Sequence, residues 1–211
     1  MNGNRPNILW YCTDQQRFDT IGALGNEFVQ TPVLDQFVEG GTAFTHAYCQ
    51  SPICTPSRSS FMTGIYPSKL HNTRNGNDTF PSGPTLISRL LFDAGYDCGL
   101  VGKFHLVSAG RRTEPRLDDG YRFWKHSHAP RDDWPEGHDY AEWVRDKGGD
   151  LDALRDHPDR VPREFHQNTW ATERSIEFIN QDRDGPWMLS VNIYDPHPPF
   201  IPSKSYADRF P

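Results

Sequence analysis

The segment Cys54-Thr55-Pro56-Ser57-Arg58, continuing through Ser59-Ser60-Phe61-Met62-Thr63-Gly64, is the part of this sequence best suited to covalent chemistry. Thr55 can cap a helix, Pro56 suits the first helical position, and Gly64 can end it. Cys54 is then expected at a helix N-terminus with Arg58 one turn away, a setting that favours a thiolate or another anion. A buried thiol ahead of a short helix fits the same spacing. A phosphatase-type thiolate does not, because its phosphate loop needs a longer Cys-to-Arg spacing and position 60 is Ser. Three other places carry compatible groups: Asp14-Gln15, Lys103 with His105, and Asp195 with His197, each following an apolar run. A carboxylate and an amide oxygen suit a hard divalent cation such as calcium or magnesium. Lys103 and His105 are two apart, so in an extended segment they point the same way. Taken singly, each has a plainer reading, Asp-Gln as a turn or cap and a lone His as a surface residue. Weight comes from their arrival together.

Reactive groups in open α/β sheets gather where strands end, and the flanking sequence supplies such strands. Asn7 to Thr13 encloses the apolar run Ile8-Leu9-Trp10-Tyr11-Cys12, the pattern of a parallel strand buried on both faces. Thr31-Pro32 opens a helix with Leu34, Phe37 and Val38 on one face and Gly40-Gly41 at its end. Pro84 opens another, with Ile87, Leu90, Leu91 and Ala94 on one stripe, and Cys98-Gly99-Leu100-Val101 follows as a short buried strand. Ala171, Ser175, Phe178 and Ile179 mark a third helix, before a strand from Trp187 to Tyr194. Strands alternating with helices predict an α/β domain around a largely parallel sheet.

From Gly110 to Phe165 the composition changes, with five Val, Leu or Ile residues, three Trp and many charges. Little core is expected there, and the segment reads as an insertion over the sheet's edge. Its Tyr121, Trp124, His126, His128 and Trp134 suit the rim of a sugar- or aryl-binding pocket, or packing of the segment onto the sheet. A zinc site on His126 and His128 would need two further ligands. The net charge of −6 gives no footprint for nucleic acid or an anionic membrane. No apolar stretch is long enough to span a bilayer, and no secretory leader is visible, so a cytoplasmic location is expected. Cys12 and Cys98 lie in apolar runs and are expected to be buried, inert thiols.

Cys54-Thr55-Pro56-Ser57-Arg58 with Thr63-Gly64 resembles the signature of the sulfatase family, in which a separate enzyme oxidises the Cys to formylglycine. The resemblance runs in order from Asn7-Ile8-Leu9 and Asp14-Gln15, through Gly102-Lys103-Phe104-His105-Leu106, to His197-Pro198-Pro199-Phe200. It implies an alkaline-phosphatase-like α/β fold, with residues 1–211 as the N-terminal part of a catalytic domain carrying an insertion at about 110–165. It further implies that Asp14, Gln15 and an oxygen on the modified Cys54 bind a divalent metal, with calcium expected. Arg58 would steady the hydrated aldehyde, Lys103 and His197 would hold the sulfate and protonate the leaving alcohol, and His105 would act as base. The implied partners are a small-molecule or carbohydrate sulfate ester and a formylglycine-generating maturation enzyme.

The pattern departs from the family at two points. Many sulfatases carry a second Asp where Gln15 stands, and Asp-Gln pairs occur in choline sulfatases and phosphonate monoester hydrolases. A phosphonate or phosphate ester hydrolase is therefore the alternative activity. The family's remaining metal ligands and a second Lys belong to later sequence, and the ending after Asp195-Pro-His-Pro-Pro-Phe200 is that expected of a truncated protein. A non-catalytic fragment in which Cys54 stays a thiol is the reading of a different class.

Overall fold

The computed structural model describes residues 5–109, 114–134, 136–156 and 161–209. Four strands, β1 (Ile8–Cys12), β2 (Asp97–Gly102), β3 (Phe123–His126) and β4 (Trp187–Asn192), form one sheet in the order β1-β4-β2-β3. Every pairing is parallel, with Ile8 opposite Met188, Cys98 opposite Met188 on the other side, and Gly99 opposite Phe123. All four carboxyl ends therefore meet at one edge. The helices are α1 (Pro32–Gly40), α2 (Cys54–Thr63), α3 (Pro67–Leu70), α4 (Ile87–Asp93), α5 (Asp139–Asp146), α6 (Leu151–Asp156), α7 (Gln167–Ile179) and α8 (Lys204–Ala207). Among the described residues, no helix is long and apolar enough to cross a membrane.

Side-chain alternation along the central strands divides the core into two layers. Cys98, Leu100 and Met188 face a cluster with Met62, Leu86, Tyr96, Phe104 and Tyr121. Val101, Leu189 and Val191 face the opposite cluster with Tyr140, Val144, Trp170 and Phe178. Gly99 makes this second layer possible, since a Cβ there would lie 2.8 Å from the Phe178 ring.

Several sequence expectations change in the fold. β1 is not buried on both faces: it is an edge strand, and Leu9 and Tyr11 are 53% and 58% exposed. The apolar stripe of α1 is likewise exposed, with none of its residues buried. α4 begins at Ile87 and turns Ser88 inward while Ile87 and Leu90 face out; Leu86, just before it, and Leu91 reach the core instead. The segment 110–165 was expected to add little core, yet it supplies β3 and the fully buried Tyr140, Val144 and Leu151. Aromatic side chains there supply buried area that a count of aliphatic residues overlooks.

Candidate functional site

Three strand ends and one helix start converge at the sheet's carboxyl edge. Asp14 follows β1, and its backbone N–H donates to the Asp195 carbonyl beyond β4 at 3.2 Å, tying the two ends together. Lys103 follows β2, with its N–H donating to the Asn192 carbonyl at 3.0 Å. Gly102 allows this crossing: its φ is 101°, and a Cβ would lie 2.1 Å from Asn192 O. α2 begins at Cys54 itself, two residues earlier than the sequence suggests, and Gly64 closes it in a left-handed conformation. Thr55 does not cap it. The Thr55 N–H donates instead to Asn75 Oδ1 at 2.9 Å, so the cap comes from a residue twenty positions downstream.

Around Cys54 the groups are close and largely dry. Lys103 Nζ lies 2.5 Å from Asp14 Oδ2 and 3.7 Å from Cys54 Sγ. Arg58 donates from Nη1 to the Lys103 carbonyl at 2.8 Å, while its Nη2 lies 3.4 Å from Asp14 Oδ2. Side-chain exposures of 2%, 5% and 8% for Lys103, Arg58 and Asp14 mean that water screens this triad weakly. Burial pushes the Asp14 carboxyl up, but Lys103 and Arg58 outweigh it and hold the group below the usual carboxylate range. Two cations against one carboxylate leave the centre attractive to an anion.

Asp14, Cys54 and His197 place a ligand atom each within 4.8 Å of one another. The His197 Nδ1 lies 2.6 Å from the Pro198 carbonyl and so donates to it, which leaves Nε2 for any further contact. Gln15 lines the same cleft of about 380 Å³ together with Asp14, Cys54, Ser57 and Arg58. A carboxylate and an amide oxygen beside a position that would carry an oxygen after Cys oxidation fit a hard divalent cation. Asp195, singled out with His197, turns away: its carboxylate accepts from Asn168 Nδ2 at 2.9 Å.

His105 is placed differently from expectation. The chain past Gly102 is not extended, and His105 has φ 53°, so strand alternation does not align it with Lys103. Its buried ring packs edge-on against His128, with centroids 4.3 Å apart. Burial and then the nearby Lys103 push the imidazole down to about 3, which keeps it neutral and lowers its affinity for a proton. Its Nδ1 has no hydrogen-bond partner among the described residues.

The rim expected of the 110–165 aromatics resolves into packing. Trp124 sits between Phe104 and the stacked His126, with the Arg116 guanidinium 4.2 Å above it. Among the described residues His126 and His128 join no group of three metal-ligating side chains: the His126 Nε2 faces Glu114 Oε2 at 3.1 Å, and the His128 ring packs against His105 and Trp134. Cys98 is a buried, inert thiol pushed up to about 12 by burial, whereas Cys12 is only half-buried and lines the cleft. Sequence reasoning missed Asn75 and also Tyr194, whose ring lies 5.4 Å from Lys103 Nζ. The Asn75-Gly76 pair marks only a turn, and Tyr194 looks like the end of a strand.

The Sulfatase family model matches residues 6–211. The chain is 30% identical over 224 residues to an arylsulfatase of Clostridium perfringens, covering 98% of this chain and 46% of that protein. It is 32% identical to the multifunctional alkaline phosphatase superfamily protein PehA of Trinickia caryophylli, covering 96% and 44% respectively. Among solved structures, phosphonate monoester hydrolase of Agrobacterium radiobacter superposes with a TM-score of 0.78 at 22% identity, over 98% of this chain and 44% of that one. The chain thus spans about half the length of the relatives it matches. Its parallel sheet flanked by helices is the alkaline-phosphatase-like fold, and the chain belongs to the sulfatase family.

Proposed function

We propose that this chain carries the nucleophile side of a sulfate-ester hydrolase site, with Cys54 as the precursor of formylglycine. The observation that supports this best is the convergence of Asp14, Cys54 and His197 around one point, with Lys103 and Arg58 buried beside it. In the present structure, Cys54 Sγ stands where an oxygen of the hydrated formylglycine would be. Oxidation of Cys54 by a maturation enzyme would supply a hydroxyl nucleophile there. A divalent cation held by Asp14, Gln15 and the modified Cys54, with calcium the ion proposed, would supply Lewis-acid charge beside that hydroxyl.

The chain's own residues do the rest. Lys103 and Arg58 offset the negative charge that builds when a nucleophile approaches an anionic ester, and their burial strengthens that field. Arg58 also fixes the Lys103 backbone, so both cations are set before substrate arrives. His197, with Nδ1 committed to Pro198, would donate from a protonated Nε2 to a sulfate oxygen or the leaving alcohol. His105 is the base proposed to take the proton whose removal releases sulfate, a role that needs its proton affinity to rise when the charged substrate is bound. The substrate class proposed is a small-molecule or carbohydrate sulfate ester.

Phosphonate ester hydrolysis is the second reading, favoured by Gln15 in place of a second carboxylate. The test is mass spectrometry of the tryptic peptide Phe18 to Arg58 from the natural source, with parallel assays on aryl sulfate and aryl phosphonate. An aldehyde or its hydrate at Cys54 with preferential sulfate turnover is expected, as is loss of turnover in Cys54→Ala with the fold retained. Unmodified thiol in active protein would overturn the nucleophile assignment, and a phosphonate preference would move the second reading to the front.

A further inference from the structure

We propose that Glu114 and His126, outside the cleft, are a positioning pair that holds the Lys103–Leu106 loop in its working shape. The inference rests on the site reading above for its functional consequence, but its structural basis is separate. A non-glycine residue such as His105 at φ 53° persists only where its neighbours over-determine the backbone. Both flanks of His105 are pinned. On one side the Lys103 carbonyl accepts from Arg58 at 2.8 Å. On the other, the Leu106 N–H donates to Glu114 Oε1 at 2.8 Å and the Leu106 carbonyl accepts from Asn72 Nδ2 at 3.3 Å. Glu114 thus holds the amide immediately after the strained residue.

A carboxylate as buried as this one, with side-chain exposure of 0%, would be costly without partners. Its second oxygen meets His126 Nε2 at 3.1 Å, and the other ring nitrogen of His126 lies 3.3 Å from the Gly137 carbonyl. Carboxylate and carbonyl oxygens only accept, so the ring is held between two acceptors, one from each side. The His126 N–H in turn donates to Asp139 Oδ2 at 2.7 Å. The sequence is thereby linked from the end of β3 and the start of α5, through Glu114, to the backbone at His105. Neither Glu114 nor His126 lines the cleft around Cys54.

Glu114→Ala and Glu114→Gln separate this role from general stability. The alanine variant removes the acceptor for the Leu106 N–H, whereas glutamine keeps an oxygen and loses the charge. In the matured enzyme, Glu114→Ala is expected to lower kcat for 4-nitrophenyl sulfate about 100-fold with KM within about threefold, the size expected when a reacting group is misplaced by about 1 Å. Amide exchange at Leu106 should accelerate at least tenfold, while Glu114→Gln should lower kcat about tenfold and accelerate the exchange by a smaller factor, about threefold. Wild-type kcat in Glu114→Ala, or unchanged Leu106 exchange, would overturn the proposal. If Glu114→Ala does not fold, Glu114→Gln and His126→Gln decide: a kcat loss of about tenfold at constant KM is expected, and wild-type kcat in both overturns it. Should the wild type hydrolyse neither sulfate nor phosphonate esters, the site reading fails, and the exchange measurement still tests the pair.

Discussion

Replacing Asp14 by Asn changes one charge in a site where three charges are packed out of water. Lys103 and Arg58 both lean on this carboxylate, at 2.5 and 3.4 Å, and all three side chains are under one-tenth exposed. Breaking a buried ion pair by removing one partner typically costs about 3–5 kcal/mol, because the other charge is left uncompensated. Here two cations lose their counter-charge, so Asp14→Asn should lose at least about 3 kcal/mol. The sharper expectation concerns sign. Lys103→Met should destabilise the wild type, since it leaves Asp14 with the longer Arg58 ion pair in place of two. In the Asp14→Asn background the same substitution removes an unpaired buried cation and should be neutral or stabilising. Urea denaturation of the four proteins at pH 7 in the presence of EDTA measures this cycle, and the expected coupling is about 2 kcal/mol or more. Additivity within about 0.5 kcal/mol would refute the account of the triad as one electrostatic unit.

Other expectations follow from the same packing. Gly102→Ala should cost more than about 3 kcal/mol, measured by thermal or urea unfolding, because the new Cβ meets the Asn192 carbonyl at 2.1 Å in a left-handed backbone. Trp124→Ala should lower the melting temperature, by roughly 3 kcal/mol of stability or more, since its ring packs on Phe104, His126 and Arg116; unchanged stability with altered substrate preference would restore the rim reading. Burial, and then the nearby His126, hold the His138 imidazole down to about 4 against an ordinary value of 6.5. The unfolded chain therefore takes up a proton there first as pH falls. This contribution to stability is complete above about pH 6.5 and is lost between about 6.5 and 4, with about 2 kcal/mol gone by pH 5. His138→Gln should flatten the urea midpoint between pH 7.5 and 5 by that amount, and an unchanged pH profile would contradict it.

The sequence alone determined the chemical parts and their order. Apolar runs announced β1, β2 and β4, and the turn from each into polar residues marked Asp14, Lys103 and His197, because a buried parallel strand must end where the chain meets polar surroundings. The Cys54 helix was legible from Pro56, Arg58 and Gly64 to within two residues. Tertiary structure decided the rest, for reasons local pattern does not carry. Position in the sheet left β1 at an edge with exposed Leu9 and Tyr11, although its composition matches a central strand. Side chains distant in sequence completed the site: Asn75 caps α2, and Glu114 pins the amide after His105. Whether His105 is a solvated loop residue or a buried neutral base depends on a left-handed turn and on His128 against its ring. Burial and pairing set the charge states of these groups, and both are properties of which surfaces meet, which only the folded chain defines.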